Sequence, residues 1–228
     1  MSGAGLTMAA TLLTLGAYLF ALWAYRRSGW ALLPPVLTGA AAVVALLLAA
    51  GVPYERYRQG CQPLSWLAGP ATVALALPLY RQWGRLKGLW WPVMGALLAG
   101  SLTAVVSAVG VAWLLGADGA LMASLAPKSA TMPVAIPVAQ SMGGSAALGA
   151  VAVALTGIAA AVLSGAMWGW LGIRNDTVRG FALGAAGHAI GTARAFQIGE
   201  TAVCFAALAM GLNAVATGLL VPLLRGLL

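Results

Sequence analysis

The sequence predicts an all-α fold: a polytopic transmembrane helical bundle of about seven spans, some of them broken or re-entrant. Three observations carry this. First, 62% of the 228 residues are hydrophobic and only 7% are charged, against about 25% charged in an average soluble domain. Mean hydropathy is +0.95. Second, the apolar residues come in runs of roughly 18 or more, long enough to cross about 30 Å of hydrocarbon. The short alternating segments of a membrane β-barrel are not seen. Third, two stretches break the pattern with proline, glycine and polar side chains.

The elements follow in order. The first run spans about Gly5 to Ala24 and closes on Tyr25-Arg26-Arg27. Its basic residues follow it rather than precede it, so it reads as a first span and not a cleavable leader. The second runs from about Trp30 to Val52, with Pro34-Pro35 in its first turns, where proline is tolerated. A polar gap over 53–60 leads to a third run, Leu64 to Tyr80, and a basic link with Arg81, Arg85 and Lys87. The fourth run, Leu89 to Leu115, closes on Gly116-Ala117-Asp118-Gly119. The stretch Ala120 to Gly144 is interrupted by Pro127, Pro133 and Pro137. A long run, Ser145 to Ile173, ends in Arg174-Asn175-Asp176. A glycine-rich stretch, Gly180 to Glu200, precedes the last run, Thr201 to Leu224. The whole chain, 1–228, reads as one membrane domain: two N-terminal spans (1–62) and a motif-bearing core (63–228). Most of the nine tryptophans fall near run ends, where an amphipathic ring settles at the headgroups.

The net charge of +8 comes from basic residues in short gaps. That is a signature of orientation by the positive-inside rule rather than of nucleic-acid binding. Placing Arg26, Arg27, Arg81, Arg85, Lys87, Arg174 and Arg179 on one side requires 120–144 to dip in and return. The N-terminus is then outside. Whether 180–199 crosses or also returns stays open at this stage. Cys61 and Cys204 lie in unlike surroundings and one histidine is present, so neither a disulfide, a metal site nor a cofactor is expected. No nucleophile–base pair, phosphate loop or carboxylate pair stands out, and no enzyme activity is expected.

Three segments could carry chemistry. In Ala126-Pro127-Lys128-Ser129-Ala130-Thr131-Met132-Pro133 the prolines break the helix. The freed amides beside Lys128, Ser129 and Thr131 make an anion site. A lysine at mid-bilayer costs roughly 2.5–3.5 kcal/mol and marks function by default. The competing reading has Lys128 snorkel to the interface. In the second segment Gly180, Gly184, Gly187 and Gly191 line one face of a helix, a seam for close helix approach. At about 100° per residue, Arg194 falls about 40° to one side of that seam and His188 about 80° to the other. Arg194 would fork onto a carboxylate, or else pair with Glu200 or anchor at the interface. His188 would orient substrate or carry a proton, or else simply satisfy an interhelical hydrogen bond. The seam packs either within one subunit or between two copies.

In the third segment, Pro70 and Pro78 bracket small residues that include Thr72. Residues 71–79 align without gaps to 130–138, an internal similarity of the kind found in transporters with interrupted helices. The candidate substrate-binding residues are therefore Lys128, Ser129, Thr131, His188, Thr192, Arg194 and Thr72. Convergence of Lys128, His188 and Arg194 on one cavity would support them as a unit.

Four segments resemble the LrgB/CidB family in order along the chain: residues 69–80, Pro127-Lys128-Ser129-Ala130-Thr131, Gly187-His188-Ala189-Ile190-Gly191-Thr192-Ala193-Arg194, and Ala209-Met210-Gly211-Leu212-Asn213. The resemblance implies a multi-pass protein of the bacterial inner membrane working with a small LrgA/CidA-like partner. It implies one of two functions. One is transport of small monocarboxylates such as pyruvate, glycolate or glycerate. The other is a holin- or antiholin-like control of murein hydrolase export and lysis. The chain departs from the family pattern at Met132 and Pro137, where a threonine and a glutamate are expected, and at Gln197, where a glutamate is expected. Proton coupling through acidic residues there is correspondingly in doubt.

Overall fold

The computed structural model describes residues 3–28, 35–74, 80 and 83–224, and all regular structure in them is helical. The chain forms two compact units, Met1–Ala74 and Leu75–Leu228.

In the first unit, α1 (Gly3–Ser28) and α2 (Pro35–Ala49) pack with Gly39 against Tyr18 and Ala21. A short α3 (Tyr54–Gly60) returns to α1. Gly60 sits so close that a Cβ there would lie 2.7 Å from the Ala10 Cβ, and the Tyr57 hydroxyl hydrogen-bonds Thr14 at 2.8 Å. Then comes α4 (Gln62–Ala74).

The second unit contains α5 (Trp83–Gly88), α6 (Trp90–Leu114), α7 (Gly119–Leu125), α8 (Met132–Ser141), α9 (Ala146–Leu171), α10 (Asp176–Ala195) and α11 (Glu200–Leu223). Among the described residues, four helices are long and apolar enough to cross a membrane: α1, α6, α9 and α11. Helix α2 is apolar but has only 15 described residues, about 22 Å at 1.5 Å per residue, short of a full span. The expected count of about seven is not confirmed among the described residues; the stretch 180–199, left open by the sequence, forms a hairpin rather than a crossing.

Packing pairs fix the directions. Val93 of α6 clusters with Cys204 and Phe205 of α11, Ser101 bonds Asn213, and Val105 clusters with Val221. Both partners advance together, so α6 and α11 run parallel. Helix α9 runs the other way beside α8, with Gly149 against Ala139 and Val153 against Ala135. The starts of α6, α10 and α11 and the end of α9 therefore share one end of the unit. The end of α6, the 142–145 turn and the start of α9 share the opposite end.

The stretch 120–144 enters from that opposite end and returns to it, as expected. Helix α7 is capped by Asp118, whose carboxylate accepts from the Leu121 amide at 2.8 Å. It stops at Leu125, and residues 126–131 run as turns. Pro127 has no amide to continue a helix, and Pro133 lies in the first turn of α8. Ser124 ties the base of the hairpin by accepting from the Ser145 amide at 2.8 Å.

The glycine-rich stretch is not one straight helix. Its backbone breaks at His188, with φ 42° and ψ −129°. Gly180 and Gly184 press against the backbone of Ala202 and Ala206 of α11, so 176–187 runs parallel to α11. Gly191 presses instead against the backbone of Leu183, eight residues back, which a straight helix would hold about 12 Å away. Residues 189–195 thus fold back on 176–187. The stretch left open by the sequence dips in and returns. The glycines form three separate contacts: Gly180 and Gly184 on α11, Gly187 on Ala160 of α9, and Gly191 inside the hairpin.

Candidate functional site

Two hairpins thus enter the second unit from opposite ends, and their tips meet against α9 and α11. At the first tip, Ala130 packs on Val153. At the second, the buried His188 ring bonds the Val153 carbonyl through Nε2 at 2.9 Å. A carbonyl only accepts, so Nε2 carries a proton. A positive φ at a non-glycine residue costs roughly 1–3 kcal/mol and persists only where its surroundings impose it. Here the ring is held by α9, and the Thr192 hydroxyl donates to the His188 carbonyl at 2.9 Å.

Gly157 makes room for that ring. A Cβ there would lie 2.7 Å from His188 Cε1 and 2.9 Å from Nε2. Gly157→Ala should push the imidazole off the Val153 carbonyl. The expected loss is about 1–3 kcal/mol, the usual range for overpacking, read as a lower unfolding midpoint of the purified protein in detergent.

An open cleft of about 1080 Å³ runs from the end bearing Gly84, Asn175 and Thr177 down to the first tip. Its walls are small and apolar residues of α6, α9 and 176–187, among them Ala96, Gly100, Ala160 and Ala182. The polar groups that reach it deep inside are Lys128, Ser129 and Thr156. Lys128 Nζ lies 3.3 Å from the Ser129 hydroxyl, and no carboxylate pairs with it among the described residues. The break in the helix puts this cation in the cleft. The start of α8, the positive end of its dipole, follows three residues later at Thr131.

Of the residues singled out by sequence, Lys128 and Ser129 line the cleft; Thr131, His188, Thr192 and Arg194 do not. Thr131 occupies the N-cap position of α8 without a side-chain cap bond. His188 and Thr192 are buried in the second tip. Arg194 sits at the far end of 189–195, where its guanidinium donates to Gln197 Oε1. The side chain of Thr72, and residues 75–79 of the proposed internal similarity, lie outside the described residues. Lys128, His188 and Arg194 therefore do not converge on one cavity.

Sequence reasoning passed over Asn213 as a site residue. Its side chain is buried, accepts from Ser101 Oγ at 2.6 Å, and donates to the carbonyls of Ser129 at 2.8 Å and Ala185 at 3.0 Å. The available signal was a lone asparagine in the middle of an apolar run, which must find partners inside the protein.

Parallel and antiparallel spans enclosing two opposed broken hairpins define a multi-pass helical membrane protein with a cation at the end of a cleft. Residues 14–227 match the family model described as the LrgB-like family. The chain is 39% identical over 212 residues to YxaC of Bacillus subtilis (strain 168), covering 93% of this chain and 92% of that one. It is 31% identical over 198 residues to "Antiholin-like protein LrgB" of Bacillus mycoides (strain KBAB4) and of Bacillus cereus (strain B4264), covering 87% of this chain and 86% of each relative. No solved structure matches. The chain belongs to the LrgB-like family.

Proposed function

We propose that this protein is a carrier for small organic anions, monocarboxylates such as glycolate, glycerate or pyruvate, in the bacterial inner membrane. The observation that carries the reading is Lys128: a cation without a carboxylate partner among the described residues, beside the Ser129 hydroxyl, at the end of a largely apolar cleft. Such a site offers a carboxylate a charge and a hydrogen bond, and offers its short carbon skeleton an apolar wall. Thr156 supplies a further hydroxyl. His188 and Thr192 act by holding the second tip, and Thr131 by starting α8. Arg194, with Lys87, Arg174 and Arg179, makes the cleft's open end basic, while Asp118 lies at the other. The positive-inside rule assigns that basic end to the cytoplasm. Opposed broken hairpins flanking one site also suit alternating access. An LrgA/CidA-like subunit is the partner this reading expects.

The printed name of the Bacillus relatives, antiholin-like protein, favours a second reading, a regulator of a membrane pore. The two part on one measurement. Purified protein, alone and with an LrgA-like subunit, is reconstituted into liposomes holding a trapped dye. The carrier reading expects saturable uptake of labelled glycolate or pyruvate with the dye retained. Dye release without saturable uptake overturns it.

A further inference from the structure

Asn213 stands near the middle of α11 and is 1% exposed. Its side-chain hydrogen bonds go to three different elements. Oδ1 accepts from Ser101 of α6, and Nδ2 donates to the Ser129 carbonyl in the first tip and to the Ala185 carbonyl in 176–187. Both carbonyls belong to segments where the helix is interrupted. Ala185 lies three residues before the break at His188. Ser129 lies within the turns of 126–131. One side-chain amide thus reaches both interrupted segments. An asparagine offers two N–H groups and an oxygen on one short stem, a set that no aliphatic or hydroxyl side chain supplies. Ser129 and Ala185 both line the cleft, so the amide holds its floor from behind. The two hairpins it joins enter from opposite ends, and neither can withdraw while both bonds persist.

We propose that Asn213 is a positioning residue that latches the two hairpin tips together, and that releasing one of its two donated bonds is the step that opens the site toward the end bearing Asp118. The proposal rests on the carrier reading of the cleft. Its test reads accessibility instead of uptake, so the two can fail separately. Ala104 lines the cleft and lies beyond Ser101 on α6, toward the Asp118 end. In a Cys61→Ser, Cys204→Ala background, Ala104→Cys is labelled in oriented proteoliposomes with a membrane-impermeant maleimide from either side.

With Asn213 intact, labelling is expected from the cleft's open end, with slow labelling from the Asp118 end. Asn213→Leu removes both donors, and Asn213→Asp replaces them with an oxygen facing two carbonyls. Each should raise labelling from the Asp118 end at least several-fold. Ser101→Ala, which removes a single bond and spares the two donated ones, should change it in the same direction by less. Folded Asn213→Leu or Asn213→Asp protein that labels as the parent does overturns the latch. Should both variants fail to fold, Asn213→Ser, whose single hydroxyl can donate to only one of the two carbonyls, decides: a rise from the Asp118 end supports the latch, and an unchanged rate overturns it. A side-specific change in variants of a protein that shows no uptake would keep the latch and remove the carrier reading.

Discussion

Lys128→Ala is expected to abolish saturable anion uptake while leaving the folded protein as stable as before, or more so. The sign follows from where the charge lies. Lys128 has the Ser129 hydroxyl at 3.3 Å and no carboxylate partner among the described residues. A cationic side chain at membrane depth costs roughly 2.5–3.5 kcal/mol on translocon scales. Removing a cation that no carboxylate compensates therefore relieves a cost, whereas removing half of a buried ion pair strands the other half. A residue kept for packing alone would behave in the opposite way. Lys128→Arg keeps the charge but brings a wider, planar head, and should retain partial uptake with a raised KM. The measurement pairs uptake in liposomes with the unfolding midpoint in detergent. Full uptake by Lys128→Ala, or a large drop in its stability, would dismiss Lys128 as the anion's partner.

The parts of this site differ in how far the sequence disclosed them, and the difference is local against distant causes. The four long apolar helices are legible because hydrocarbon thickness sets the length of a span. The first hairpin was legible because Pro127 and Pro133 act on their own neighbours, and charge balance asked for a return. Lys128 and Ser129 followed from it. The second break carries no proline. Gly187-His188 can continue a helix, and the four glycines repeat at helical spacing. What bends the chain is a carbonyl 35 residues away at Val153 and the space left by Gly157. Because that break leaves no local signal, the glycine spacing suggests one surface beside Arg194 that the fold divides, while His188 takes the interhelical hydrogen bond that stood as the alternative to a substrate role. Asn213 is legible as a polar residue in an apolar run. Its partners, 28 to 112 residues distant, are not.

Gly184→Ala is the substitution expected to damage the fold most. Glycine-to-alanine in a helix interior ordinarily gains up to about 1 kcal/mol of helix propensity. At Gly184 the new methyl would lie 2.7 Å from the Ala206 Cα and collide with the Ala206 carbonyl oxygen. Both obstacles are backbone, so no rotamer change relieves them and the two helices must separate. Overpacking costs about 1–3 kcal/mol where side chains can shift, and the upper end or beyond is expected here. Gly180 meets Ala202 in the same way one turn earlier, so the damage spreads along the 176–187 and α11 seam and loosens the hairpin that carries His188. Gly165 of α9 has no neighbour within 4 Å of its would-be Cβ, and Gly165→Ala is the control. In detergent, Gly184→Ala should lower the unfolding midpoint or fail to give monodisperse protein, and Gly165→Ala should match or exceed the parent. Equal behaviour of the two variants would refute the backbone-distance packing of the second hairpin on α11, and with it the placement of both tips.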